Sequence, residues 1–275
     1  MRTMSAERVA IVTGATGAIG GAIARGLAAD ASFEVVLVGR DARRTSNAAD
    51  AIRRVTGNGR VRHEVVDLSL DSSIREFGRY FDSPVDILVN NAAIAPPRRQ
   101  MTAEGRELVF ATNVLGYLRL TLALESNLHR ASPARVVNVA SYWAGDLDLT
   151  DLEFERRRYD NNAAYRQSKQ ANRMLTVALS ERYSPSAVAV NACHPGDVDS
   201  RLSNDLGFGG AESPEQGAAT PLWMATAREL EAVSGKYFAS GHEERCRFSS
   251  DRHAIGLLFE ICLAFDEARP SSDRS

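Results

Sequence analysis

Short runs of β-branched and apolar residues alternate along the chain with longer amphipathic stretches. The first, ERVAIVT, passes through a glycine-rich turn into small and apolar residues at helical spacing, GAIGGAIARGLAAD. The same strand signature returns in FEVVLVGR, RVRHEVVDL, VDILVNNAA, ARVVNVAS and AVAVNACHP, each separated from the next by enough chain for a crossover helix. Alternation of this kind predicts an α/β fold: a parallel sheet covered by helices on both faces, in a single domain.

Beyond Pro195 the pattern changes. Residues 200–220 are rich in Gly, Ser, Asn and Asp and read as a flexible segment, and residues 198–220 as a whole as a substrate loop or lid. SPEQGAATPLWMATAREL predicts a further helix with Ser213 as N-cap and Pro214 at its first position, followed by a short strand around GKYFAS. HAIGLLFEICLAF reads as a packed terminal helix or an interface helix. The domain is expected over residues 8–265, with a flexible start at 1–7 and a disordered tail at 266–275.

Composition narrows the function. The 275 residues are 44% hydrophobic and 25% charged, with a formal net charge of −2, so no overall basic excess drives binding to nucleic acid. Cys193, Cys246 and Cys262 form neither a CxxC pair nor an even framework, and no HExxH occurs, so no metal is expected and a reducing cytoplasm is the natural compartment. No apolar run reaches the ~18 residues of a spanning helix, and no membrane partner is expected.

The glycines Gly14, Gly17 and Gly20, with Thr16, Ala18 and Ile19 among them, follow the first strand and open the first helix. Such a loop lets the backbone approach a dinucleotide pyrophosphate, whose charge meets amides at the helix N-terminus. The second strand ends at Arg40, with Arg43 and Arg44 beyond, where an acidic residue would suit the free ribose diol of NAD. Arg40 suits a 2′-phosphate, so NADP(H) is favoured, with NAD(H) the alternative that Asp41 keeps open.

Of the 33 basic residues only two are lysines, and one, Lys169, stands four residues after Tyr165. NNAAYRQSKQANRMLTVALSERY reads as a helix capped by Asn161 or Asn162, placing Tyr165 and Lys169 on one face. An ammonium beside a phenol lowers its pKa, so the pair is a candidate general acid/base.

These residues, taken together, resemble the short-chain dehydrogenase/reductase family of single-domain Rossmann enzymes over residues 8 to about 240. The resemblance rests on Thr13 to Gly20, Asp67-Leu68, Asn90-Asn91-Ala92-Ala93, Asn113, Ser141, Tyr165 with Lys169, and Pro195-Gly196, in order. AYRQSKQANRML, CHPGDVDSRL and AVSGKYF look most like the retinol dehydrogenase-type branch. The resemblance implies a Rossmann-type doubly wound sheet of about seven strands. It implies that Asp67, with Leu68 beside it, meets the adenine, that Asn90, Ala92 and Ala93 line the ribose region, and that Pro195, Gly196 and Val198 contact the nicotinamide. It further implies that Ser141 holds the substrate oxygen, Tyr165 exchanges the proton, Lys169 depresses the tyrosine pKa and binds ribose, and Asn113 anchors a proton-relaying water. Family members often pair through the helices bearing Asn113 and Tyr165, which makes a homodimer or tetramer an option.

Two positions depart from the family pattern: Ala18 stands for the second glycine of Gly-x-x-x-Gly-x-Gly, and Ala93 for the glycine of Asn-Asn-Ala-Gly. Altered cofactor fit is expected before loss of binding. The retinol-type branch often carries an N-terminal membrane segment, which MRTMSAERVA does not suggest, so membrane-bound retinoid metabolism is not expected.

The function expected is reversible hydride transfer between NADP and a carbonyl or alcohol carbon, on a ketone, aldehyde or secondary alcohol. Alternatives are an NADP-reading sensor, or an epimerase or dehydratase using the cofactor transiently. Tyr142, Trp143, Ile94, Leu202 and Leu206 are the candidate substrate wall, with Phe208, Pro96 and Pro97 near, and suit a bulky, partly apolar ketone such as an aromatic secondary metabolite. Taken singly, Ser141 has a simpler use as a turn cap and Asn113 as a partner for buried backbone.

Overall fold

The computed structural model describes residues 8–184 and 186–267. What was expected of residues 1–7 and of most of the C-terminal tail lies outside them.

The apolar runs form β1 (Arg8–Thr13), β2 (Phe33–Gly39), β3 (Val61–Val65), β4 (Ile87–Asn90), β5 (Ala134–Val139), β6 (Val188–Cys193) and β7 (Tyr237–Ala239), all parallel in the order β3-β2-β1-β4-β5-β6-β7. An eighth strand, β8 (His242–Glu244), pairs antiparallel with β7 at the edge, one more than the sequence suggested. Its three residues are polar and carry no apolar signature. What places them is the two-residue turn between Ala239 and His242, where Ser240 and Gly241 have φ of 50° and 75°, the left-handed pair that matches strand twist in tight hairpins. A charged edge strand also discourages pairing with another chain.

Alternate strand residues supply two cores. Val9 and Ile11 of β1 and Val36 and Val38 of β2 face one side, whereas Ala10, Val12, Val35 and Leu37 face the other. Helices α1 (Ala18–Ala28), α2 (Ala42–Thr56) and α9 (Pro214–Thr226) cover the second side, with α1 packed on α9. The first side is covered by α3 (Asp71–Tyr80), α5 (Gly116–Ala123), α7 (Asn161–Arg182) and α10 (Arg252–Glu267). Two short elements accompany them, α4 (Leu108–Phe110) before α5 and α6 (Glu125–Ala131) after it. The terminal apolar stretch is a packed helix: α10 lies on α7, and Phe265 meets Phe110 with ring centroids 5.3 Å apart.

Two boundaries differ from expectation. The N-cap of α7 is Asp160, whose carboxylate accepts from the Ala163 amide at 2.8 Å, so neither Asn161 nor Asn162 caps it. A carboxylate also suits the positive end of the helix dipole. The segment after β6 contains a short helix, α8 (Arg201–Asp205), closed by a capping box between Ser200 and Ser203. Ser213 caps α9 as expected, reciprocally with Gln216, and Pro214 stands at its first position.

Candidate active site

The strand order reverses between β1 and β4, which opens a crevice at their carboxyl ends. The two turns there are bolted together. Thr13 Oγ1 accepts from the amides of Asn91 (2.8 Å) and Ala92 (3.1 Å), and Asn91 Nδ2 donates to the Thr13 carbonyl at 2.9 Å. Gly14 turns through φ 65° so close to this joint that a Cβ would lie 2.7 Å from Ala92 Cα, and a Cβ on Gly20 would strike the Gly14 carbonyl and the Asn91 amide. Gly17 caps α1 without any side-chain bond, which leaves the first-turn amides facing the crevice mouth. This cradle of backbone and helix terminus fits a pyrophosphate. Ala18 begins α1 in ordinary helical backbone, and neither Ala18 nor Ala93 needs a positive φ, so both methyl groups are accommodated.

At the end of β2, Arg40 is exposed, and among the described residues nothing pairs with its guanidinium. The neighbouring Asp41 carboxylate is turned into α2, accepting from the Arg44 amide at 2.9 Å. That use as an N-cap removes the acidic residue that favoured a free ribose diol.

Two cofactor expectations change, those for the Asn90 and Leu68 side chains. Asn90 is fully buried and donates to Thr121 Oγ1 (3.1 Å) and Asn138 Oδ1 (2.9 Å), inside the sheet–helix core and away from the crevice. The Leu68 side chain packs in the core, so only its backbone is available to a ligand. Asp67 Oδ1 accepts from the amide and hydroxyl of Ser69, at 2.9 and 2.7 Å, and so holds the turn after β3.

The candidate catalytic groups converge at the ends of β4, β5 and β6. Tyr165 and Lys169 share a face of α7 and are both at least nine-tenths buried. Lys169 Nζ donates to the Val139 carbonyl at 2.9 Å and lies 5.5 Å from the Tyr165 ring centre. Burial pushes the Tyr165 phenol up to about 12, with a hydrogen bond to Ser141 working against it and the Asp197 carboxylate adding to it. Burial likewise draws Lys169 down to about 7. The expected depression of the tyrosine by its lysine is therefore not found in the protein alone. Desolvation is the largest cause for both buried groups, so the phenol keeps its proton at neutrality. What stands ready is a neutral phenol, a proton donor.

Ser141 Oγ accepts from the Trp143 amide at 3.0 Å, so it serves as the turn cap while lining the same cavity as Tyr165. Asn113 sits in a π turn, Ala111–Leu115, joining α4 to α5. Its Oδ1 accepts from the Ile94 amide and its Nδ2 donates to the Ile94 carbonyl, both at 3.0 Å, with a further bond to Ser168 Oγ at 3.1 Å. The side chain is occupied with buried backbone.

A cavity of about 310 Å³ opens above Tyr165 and Ser141. Tyr142, Trp143, Leu202, Leu206 and Phe208 line it, together with Ile19, Pro195, Gly196 and Val198. Ile94 does not: it packs with Val109, Phe154 and Ala164 because Asn113 holds its backbone inward. Sequence reasoning missed His194, Asp197, Ser200 and Ser203, which also line the cavity. His194 and Asp197 flank Pro195-Gly196, a signal that was present. It also missed Arg173, one turn beyond Lys169, whose Nη1 lies 3.4 Å from the Ser141 carbonyl and whose guanidinium stacks 3.5 Å from the Tyr237 ring centre.

The family profile described as short chain dehydrogenase matches residues 8–207. The chain belongs to that family. Within the short-chain dehydrogenases it falls in the retinol dehydrogenase-type branch: it is 40% identical over 251 residues to the mouse protein named retinol dehydrogenase 13, covering 84% of this chain and 75% of that one. Among solved structures it is similar to an uncharacterized protein from Mycobacterium paratuberculosis, with 29% identity, a TM-score of 0.79, and 95% and 94% of the two chains covered. It is also similar to the actinorhodin polyketide ketoreductase crystallised with NADPH, at 25% identity and a TM-score of 0.65, covering 86% and 97%. As a short-chain dehydrogenase the protein is an oxidoreductase whose family uses a nicotinamide cofactor on alcohols or carbonyls.

Proposed function

We propose that this chain is an NADP(H)-dependent ketoreductase or alcohol dehydrogenase for a bulky, partly apolar substrate. The observation that carries the reading is the meeting of the Tyr165 phenol and the Ser141 hydroxyl at the floor of the apolar cavity, beside the glycine cradle of α1. The cradle at Gly14 to Gly20, Arg40 at the end of β2, and Pro195, Gly196 and Val198 after β6 are the groups that would hold the dinucleotide. When bound, the nicotinamide supplies or accepts the hydride.

The chain's own residues do the rest. Tyr165 gives its proton to the oxygen of a carbonyl in reduction and takes it from an alcohol in oxidation. Ser141 orients that oxygen, and both hydroxyls bond it more strongly as negative charge grows there. Lys169, fixed on Val139, places a donor below the phenol. Arg173 and the Trp143 amide hold Ser141 in its turn. Trp143, Leu206 and Phe208 exclude water from the reacting atoms. The free Arg40, with Asp41 turned away, supports NADP over NAD, and the likeness to a ketoreductase crystallised with NADPH points the same way.

The test is a titration with NADPH and NADH followed by nicotinamide fluorescence, then a panel of ketones scored by NADPH consumption. Tighter binding of NADPH with turnover of bulky ketones is expected. Binding of neither nucleotide, or tight binding with no net consumption on any carbonyl, would overturn the reading.

A further inference from the structure

The cavity wall carries one formal charge at neutral pH. His194 is held neutral because burial lowers its pKa, and the buried Tyr165 keeps its proton, which leaves the Asp197 carboxylate as the sole ion among the described lining residues. No described residue forms a hydrogen bond or ion pair with that carboxylate, whose backbone carbonyl instead holds the amides of Ala211 (2.9 Å) and Glu212 (3.0 Å). The loop is thus fixed by its main chain while the acid is left exposed to the cavity.

Aromatic rings make up much of the rest of the lining. Trp143 meets Phe208 edge to face with centroids 5.2 Å apart, and Tyr142 lies 6.2 Å from the His194 ring. Arg166, 6.0 Å from the Trp143 ring centre, is ion-paired with Asp146 at 2.8 Å and does not line the cavity, so it brings no neutralising cation to Asp197. A neutral apolar ligand entering this space strips water from Asp197 without replacing it. A cation replaces the water and also gains the faces of the rings.

We propose that the substrate carries an ammonium group, seated between Asp197 and the rings of Tyr142, Trp143 and Phe208, with its carbonyl or carbinol at Tyr165 and Ser141. Only the placement of the carbonyl rests on the oxidoreductase reading. The cation subsite stands on the wall itself, and so its test needs no turnover.

Phenyltrimethylammonium and its neutral isostere tert-butylbenzene are titrated against the purified protein, alone and with NADPH bound, with tryptophan fluorescence as readout. The cation is expected to bind about tenfold more tightly, and the preference is expected to fall to about twofold or less in Asp197→Asn. Asp197 is exposed, and asparagine keeps its size and its backbone bonds. Equal affinity for the two probes, or a preference that persists in Asp197→Asn, overturns the proposal. A cation preference lost in Asp197→Asn, in a protein that consumes NADPH with no ketone, upholds the subsite and overturns the oxidoreductase reading instead.

Discussion

Lys169 Nζ donates to the Val139 carbonyl at 2.9 Å, so the long cation of α7 is fastened to the last residue of β5. At 1% exposure it is the more buried of the chain's two lysines; Lys236 lies at the surface, paired with Glu243. Its folded pKa of about 7 lies below the ordinary 10.5, so between those values the unfolded chain binds a proton that the folded one does not. Stability therefore rises with pH across that window and is lost as pH falls toward 7. The thiol of Cys193, pushed up to about 12 from 9.0, acts with the opposite sign above its ordinary value. Urea unfolding of the cofactor-free protein between about pH 7 and 9 should gain up to about 1 kcal/mol per pH unit, and Lys169→Met should remove that gain.

Tyr165→Phe removes the proton donor and keeps the ring in its cluster with Ala95 and Leu206. Turnover should fall by about 10²–10⁴-fold while nicotinamide affinity stays within about twofold. Steady-state rates beside a fluorescence titration read both, and near wild-type turnover would remove Tyr165 from the mechanism.

The two directions should differ in pH dependence. With the phenol held near 12, ketone reduction should be level between about pH 6 and 9, because the donor stays protonated throughout. Alcohol oxidation, which needs the phenolate, should climb about tenfold per pH unit over the same range. Initial rates in both directions decide this.

Arg40→Ala should weaken NADPH by about tenfold or more and leave NADH nearly unchanged, since only the former carries the phosphate. Paired titrations check it. Equal loss for both nucleotides would place Arg40 outside the 2′-phosphate site.

Asn113→Ala strips partners from both backbone groups of Ile94 and from Ser168. A loss of about 2–3 kcal/mol in unfolding free energy is expected, because buried polar groups are left unsatisfied. Activity at temperatures well below the melting point should also fall, as the turn after β4 loosens. Calorimetry and rate measurements separate the two effects.

Much of this was legible along the chain because it depends on local rules. Apolar runs two faces deep marked the parallel strands, Ser213-Pro214 marked the start of α9, and four-residue spacing put Tyr165 and Lys169 on one face. The strand β8 was not legible, since a polar trio becomes a strand only when a tight turn lays it against β7. Asn90 and Ile94 were assigned to the crevice by position, yet the side a residue faces depends on which neighbours satisfy it, and Asn138 and Asn113 decided that.

The sequence by itself determined the family, the sheet with its covering helices, and the identity of the phenol, lysine, serine and glycine loop, because each is written in spacing along one element. Only the tertiary structure decided the charge states and the cavity wall. Burial, which raises Tyr165 and lowers Lys169, depends on everything packed around them, and Asp197 lines one cavity with Trp143 and Phe208 only because loops after different strands fold over one crevice.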